Sequence, residues 1–303
     1  MYISVILAAY NEEKILNETY KRLDKALSST CESYEIIFVN DGSTDNSLEI
    51  LKKINASDNK VKIIDFSRNF GQQAAFTAGI NYAAGECVIL MDTDLQDPPE
   101  LIKEMVAKWQ QGYKIVYAVR KKRKENLAKK IAYRLFYFIV DKLSDMRVPA
   151  NAGDFSLMDR KVIDAIKSMP ERNPFIRGMR SWVGFERIGI EYEREQRYAD
   201  KSKYTFLKLV KLSLDGIFFS IVPLHIISAL GAFVFIGCIV IVLTRLFSHT
   251  AGARAIVQTN IFMLLLAGFQ IFILGLIGEY VGRIYEESKK RPLYIIKGLY
   301  GLG

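Results

Sequence analysis

Cys87-Val88-Ile89-Leu90-Met91-Asp92-Thr93-Asp94-Leu95-Gln96-Asp97-Pro98-Pro99 is the stretch that decides how this chain is read. Its first five residues are a continuous apolar run, the pattern of a strand buried on both faces. The run ends in three carboxylates and an amide, and the double proline then opens a helix. Carboxylates this close repel one another unless a cation lies between them, and a hard ion such as Mg²⁺ or Mn²⁺ takes oxygen ligands of this kind together with phosphate oxygens. Asp92, Asp94 and Gln96 are therefore the candidate metal ligands, with a solvated acidic loop as the bland alternative.

Outward from this stretch the pattern repeats. Residues 5–8, 36–39, 61–66, 88–91 and 115–118 are short runs rich in Val and Ile, and 12–27, 44–55, 72–82 and 99–110 are helical stretches between them. Strand and helix alternating at this spacing predict right-handed βαβ units, an α/β fold with a mostly parallel sheet. Ligands of such sheets bind outside the carboxyl ends of the strands, and the polar clusters fall there. Tyr10-Asn11-Glu12 follows the first strand, Asn40-Asp41-Gly42-Ser43-Thr44-Asp45 the second, Ser67-Arg68-Asn69-Phe70-Gly71 the third and the Asp92 cluster the fourth. Alone, the Asp41 cluster reads equally as a turn with a helix cap. Beside the Asp92 cluster it reads as nucleotide binding, with Asp41 accepting from a nucleobase imide.

The chain has 303 residues, half of them hydrophobic, and a net charge of +9. That charge is concentrated: residues 120–147 carry ten Lys/Arg against three Asp/Glu. The basic run lacks the aromatic-studded motifs of nucleic-acid readers and adjoins an amphipathic stretch at 126–146, so no nucleic-acid partner is expected; an anionic membrane surface and a lipid phosphate are. A second such stretch, 204–214, leads into residues 217–244, which hold no charged side chain, as do residues 255–278. Each exceeds the ~20 residues that span a bilayer, and the short loop between them predicts a two-helix transmembrane hairpin. Lys201, Lys203, Lys208, Lys211, Lys289, Lys290, Arg291 and Lys297 place both outer flanks in the cytoplasm. Gly275, Gly278 and Gly282 allow close helix packing, including between copies in a homo-oligomer. Cys31, Cys87 and Cys238 are too scattered for a zinc site or a disulfide framework, and the N-terminus lacks the basic start of a signal peptide.

Ala8-Ala9-Tyr10-Asn11-Glu12, Val39-Asn40-Asp41-Gly42-Ser43-Thr44-Asp45, Arg68-Asn69-Phe70-Gly71 and Met91-Asp92-Thr93-Asp94-Leu95-Gln96-Asp97-Pro98-Pro99-Glu100 together resemble the inverting family 2 glycosyltransferases of GT-A fold. Within that family the set is most similar to the polyprenyl-phosphate glycosyltransferases, which include dolichyl-phosphate mannose synthase and the bactoprenol glucosyltransferases. The paired C-terminal spans resemble the bacterial branch. The resemblance implies a multi-pass protein of the bacterial plasma membrane with its catalytic domain in the cytoplasm. It implies transfer of a hexose, glucose from UDP-glucose first and mannose or an amino-arabinose as alternatives, onto undecaprenyl phosphate.

Carried over residue by residue, the resemblance assigns Tyr10, Glu12, Asp41, Asp92, Arg197 and Lys203 to the nucleotide and its diphosphate. Asp92, Asp94 and Gln96 go to Mg²⁺ or Mn²⁺. Asp94 and Asp154 are the expected catalytic residues, Asp154 as base or as an orienting group. Arg120 and Arg134 are the acceptor-phosphate candidates. The Gln-x-x-Arg-Trp of processive synthases is not kept; the nearest stretch is Arg177-Gly178-Met179-Arg180-Ser181-Trp182. The implied organisation is a nucleotide-sugar-binding core at 1–120, an acceptor-side region with interfacial helices and a basic loop at 121–216, the hairpin at 217–285 and a cytoplasmic tail at 286–303. A rival from another class is a catalytically silent scaffold or lipid-translocation component. Its mark would be loss of Asp92, Asp94 or Asp154, and all three are present.

Overall fold

Tyr2–Ala9 (β1) and Cys87–Asp92 (β4) run parallel at the centre of a sheet, from Ile3 opposite Cys87 to Ala8 opposite Asp92. Both are nearly all apolar because both of their faces are covered. Ile3, Val5 and Leu7 enter one layer of core and Ile6 the other. The computed structural model describes residues 1–121, 152–169, 171, 174–193, 253–302 and, between these, 231, 234, 236, 237, 239 and 240.

Around this pair the chain adds Leu16–Ser28 (α1), Ser33–Asn40 (β2), Ser47–Ser57 (α2), Val61–Phe66 (β3) and Gln72–Tyr82 (α3). A 3-10 turn at Pro99–Leu101 leads into Ile102–Gln110 (α4), followed by Ile115–Arg120 (β5). The five predicted strands and four predicted helical stretches are all present, α3 with the predicted bounds. Helices α1, α2 and α4 bury Leu23, Leu27, Leu51 and Met105 on one face of the sheet. The other face is covered by α3 and by two helices further along, Arg160–Lys167 (α5) and Ile176–Trp182 (α6), through Phe76, Val162 and Met179. Each such side chain taken from water contributes roughly 2 kcal/mol before entropy is counted.

The sheet is mixed rather than mostly parallel. Ala152–Asp159 (β6) inserts antiparallel between β4 and β5, Arg187–Tyr192 (β7) pairs parallel to β5, and Ile296–Tyr300 (β8) pairs antiparallel to β3. The order is β7-β5-β6-β4-β1-β2-β3-β8. Composition hid β6: all eight of its residues are buried, yet Gly153, Asp154, Ser156 and Asp159 break the apolar run expected of a central strand. β8 falls in what the sequence reading treats as a tail.

Ala253–Ser288 is one helix, α7, and it continues beyond the predicted span through Glu279 and Arg283, paired at 3.1 Å. Among the described residues it holds the one stretch long and apolar enough to cross a membrane, Leu266–Ser288, and none of that stretch is buried in the protein. The amphipathic segments 126–146 and 204–214 lie outside the described residues, as does most of the first predicted span.

Candidate active site

Strand register brings the first residues of the site together. β6 runs antiparallel to β4 with Leu90 opposite Ser156; two residues further along this register, Asp92 at the end of β4 comes opposite Asp154 at the start of β6. Val119 pairs with Ala152, and Arg120 with Tyr192. The sheet therefore delivers Asp92, Asp154, Arg120 and Tyr192 to one edge, where the loops after β1, β2 and β3 also emerge.

Those three loops are stitched together. The Asn11 amide donates to Ser43 Oγ at 3.0 Å, Glu12 N to Ser47 Oγ at 2.9 Å, and Thr44 N to Asn11 Oδ1 at 2.8 Å. Asn11 takes a left-handed φ of 54°, which an Asn tolerates better than most residues. Asp41 is buried, and its two carboxylate oxygens accept from the amides of Phe70 at 2.7 Å and Gly71 at 3.0 Å. Burial pushes the Asp41 carboxyl up; the two amides and Arg68 oppose this. Each oxygen keeps acceptor capacity for a ligand donor. Gly42 is required here: φ is +65°, and a Cβ would fall on the carbonyl carbon of Arg68 and 2.6 Å from Asn69 N. Tyr10, 38% exposed, stands at the rim.

The second half of the site is a set of carboxylates faced by guanidinium groups. Asp92 accepts from Gln72 Nε2, and Asp94 Oδ1 from the Gln96 amide at 3.1 Å across a turn in which buried Leu95 has φ of 55°. Burial first, then the charges of Asp97, Asp154 and Asp94, pushes the Asp92 carboxyl up to about 8. Asp97 is buried and accepts from Tyr192 Oη, which itself accepts from Arg120 Nε at 3.2 Å. Gly153 makes room for Arg120: a Cβ there would stand 3.1 Å from Nη2.

Asp154, 5% exposed, is gripped by Arg177, Nε to Oδ1 at 2.8 Å and Nη2 to Oδ2 at 2.7 Å. Burial raises its carboxyl, but Arg177, then Arg180 and Arg120, outweigh that and hold it below the usual range. Arg180, 2% exposed, donates Nη2 to Gly153 O at 3.3 Å and lies 5.6 Å from the Tyr117 ring centre. Its Nη1 has no hydrogen-bond partner among the described residues. Burial pushes Arg180 down to about 10.

Among the described residues no three carboxylate, imidazole or thiol groups converge as a ligand set. The donor chemistry nevertheless fits a hard divalent cation. Asp92 lies in the field of three other carboxylates that raise its proton affinity, and clustered negative charge of this kind is what such an ion neutralises. Asp92, Asp94 and Gln96 are partly exposed at the end of β4 and would supply the oxygens.

The structure brings Tyr10, Glu12, Asp41, Asp92, Asp94, Gln96, Arg120 and Asp154 to one edge of the sheet. Arg134, Arg197 and Lys203 lie outside the described residues. Sequence reasoning missed Gln72, Arg177, Arg180 and Tyr192. Gln72 directly follows the Arg68-Asn69-Phe70-Gly71 motif, and Arg177 and Arg180 sit in the stretch set aside as a degenerate synthase motif; Tyr192, in a plain edge strand, gave no signal.

The sheet edge thus combines clustered carboxylates with the guanidinium groups of Arg120, Arg177 and buried Arg180, a set whose chemistry suits a phosphate-bearing ligand. The chain belongs to glycosyl transferase family 2, whose profile matches residues 4–167. It is 47% identical over 307 residues to the uncharacterized glycosyltransferase YkcC of Bacillus subtilis, covering 99% of this chain and 94% of that one. It is 42% identical to the uncharacterized glycosyltransferase sll0501 of Synechocystis, covering 99% and 96%. To the bactoprenol glucosyl transferase of Shigella phage SfV it is 39% identical over 304 residues, covering 98% of each.

Proposed function

We propose that this glycosyltransferase moves a hexose, glucose from UDP-glucose, onto undecaprenyl phosphate with inversion at the anomeric carbon, on the cytoplasmic face of a bacterial plasma membrane. The observation that carries the reading is the opposition of Asp92 and its neighbouring carboxylates to Arg120, Arg177 and Arg180 at the edge where Asp41 also lies. The likeness to bactoprenol glucosyl transferase over nearly the whole chain supports a glucosyl group and a polyprenol-linked acceptor. Mannose or an amino-arabinose donor would use the same machinery.

In this reading Asp41, Tyr10 and Glu12 hold the nucleoside, and Asp92, Asp94 and Gln96 would hold Mg²⁺ or Mn²⁺. When bound, the ion would stabilise the negative charge that develops on the leaving nucleoside diphosphate; Arg197 and Lys203 would contribute to the same end. A phosphate monoester has a second pKa of about 6, so the acceptor arrives largely as a dianion and needs orientation more than deprotonation. Arg120 and Arg134 would meet that phosphate. Asp154 serves as the counter-ion that sets Arg177 in place rather than as a free base.

α7 and the apolar residues 217–244 would form a transmembrane hairpin, with the basic segment 120–147 on anionic headgroups and the Gly275-Gly278-Gly282 face available to a second copy. The test is transfer from UDP-glucose to undecaprenyl phosphate in detergent micelles by the purified chain and by Asp94→Ala. The wild type should label the lipid and the variant should not, while remaining folded in the micelle; an active Asp94→Ala would remove the metal role from this residue.

A further inference from the structure

After α7 ends at Ser288 the chain returns to the catalytic sheet. β8 pairs with the edge strand β3, Ile63 opposite Tyr300 and Asp65 opposite Gly298, and the register shifts between Asp65 and Phe66. Because of that shift Ser67 N donates to Ile295 O at 3.0 Å, and Tyr294 lies flat on Phe66, ring centres 5.0 Å apart and planes 11° apart. Asn81 Nδ2 donates to Tyr294 Oη at 3.0 Å, which fixes the ring from its other end. Phe66 meets Phe70 edge to face at 5.7 Å, and the Phe70 and Gly71 amides are the two donors to Asp41. Contact thus runs unbroken from the segment following the membrane helix, through three aromatic rings, to the Asp41 carboxylate.

We propose that Tyr294 is a positioning residue for the nucleotide site: it fixes Phe66 and Phe70 so that the Phe70 and Gly71 amides hold the Asp41 carboxylate in the orientation that receives the nucleobase. The inference rests on the reading of Asp41 as the nucleoside-binding carboxylate. Tyr294 precedes β8 and takes no part in its hydrogen-bond ladder, which is made by backbone groups of residues 296–300 and survives removal of the ring. The loop it supports, by contrast, has Gly71 at a φ of +98°, and the Phe70 ring that precedes this glycine rests on Phe66. A site carried by the enzyme core therefore depends on a residue at the far end of the chain, beyond the membrane helix.

The experiment uses the purified full-length chain in detergent, with Tyr294→Ala, Tyr294→Phe and, as a control on the strand that follows, Tyr300→Ala. Affinity for uridine and guanosine diphosphate is measured by calorimetry, and amide exchange of residues 67–72 by mass spectrometry. Tyr294→Ala should weaken nucleotide binding about fivefold, the scale of one lost ring pair, and speed exchange in 67–72. Tyr294→Phe, which keeps the stack, should stay within about twofold of wild type, and so should Tyr300→Ala. If Tyr294→Ala does not fold, Tyr294→Leu, apolar but not flat, takes its place. Unchanged affinity and exchange in the Tyr294 variant, or an equal loss in Tyr300→Ala, would overturn the proposal. If the wild type binds neither nucleotide, the reading of Asp41 falls instead, and the exchange data alone decide whether Tyr294 orders the loop.

Discussion

Asp154 and Arg177 are joined by two parallel hydrogen bonds, 2.8 and 2.7 Å, between the start of β6 and the helix α6. A fork-to-carboxylate pair of this kind fixes both partners in position and direction. It also makes Asp154 a poor proton acceptor, since its burial is more than offset by the neighbouring guanidinium groups. The two residues are therefore fixed as a unit at the site.

A double-mutant cycle separates this account from general-base catalysis. Asp154→Asn and Arg177→Ala should each lower kcat/KM for the lipid by roughly 10- to 100-fold, the worth of a charged hydrogen bond. The double variant should be little worse than either single one, because the two residues share one function. A far larger loss in Asp154→Asn than in Arg177→Ala, with additive effects, would restore the base.

Asp41→Asn tests the nucleotide half. The substituted amide must turn its NH₂ toward either the Phe70 or the Gly71 amide, both donors to Asp41 in the structure. One hydrogen bond is lost and two donors face each other, so affinity for UDP should fall about tenfold or more and the thermal midpoint should drop by roughly a few degrees. Calorimetry reads the first and differential scanning the second. An undiminished affinity would remove Asp41 from the nucleotide site.

Asp159 gives a pH signature independent of the active site. It accepts from Trp109 Nε1 at 2.8 Å, Lys114 Nζ at 3.0 Å and the Lys161 amide at 3.0 Å. Burial raises its carboxyl, but these donors outweigh it and hold the carboxyl below the usual range. A depressed folded pKa stabilises above the unfolded value, about 3.9, and that stability is lost as pH falls through the folded value. The thermal midpoint of Asp159→Asn should therefore trail the wild type at pH 7, with the gap closing below about pH 4. A gap that widened on acidification would reverse the sign.

Much of this was legible in the sequence where local pattern and tertiary demand agree. Continuous apolar runs ending in polar clusters gave β1 to β5 and the edge that carries Asp41 and Asp92. β6 was illegible because it buries Gly153, Asp154 and Ser156 for the sake of the site, so its composition denies its place between β4 and β5. Asp154 was found only through the family's motif. Arg177, Arg180 and Tyr192 depend on pairings between β5, β6, β7 and α6 that no local spacing encodes. The link from Tyr294 to Phe66 joins residues separated by more than two thirds of the chain, and only the antiparallel return of β8 reveals it.

The measurement that tests the central claim most directly is transfer of radiolabel from a panel of UDP- and GDP-sugars to undecaprenyl phosphate by the purified protein, with Mg²⁺ and with EDTA. The account predicts labelled lipid from one donor, UDP-glucose, dependent on the metal. No labelling from any donor, with Asp92, Asp94 and Asp154 intact, would contradict it.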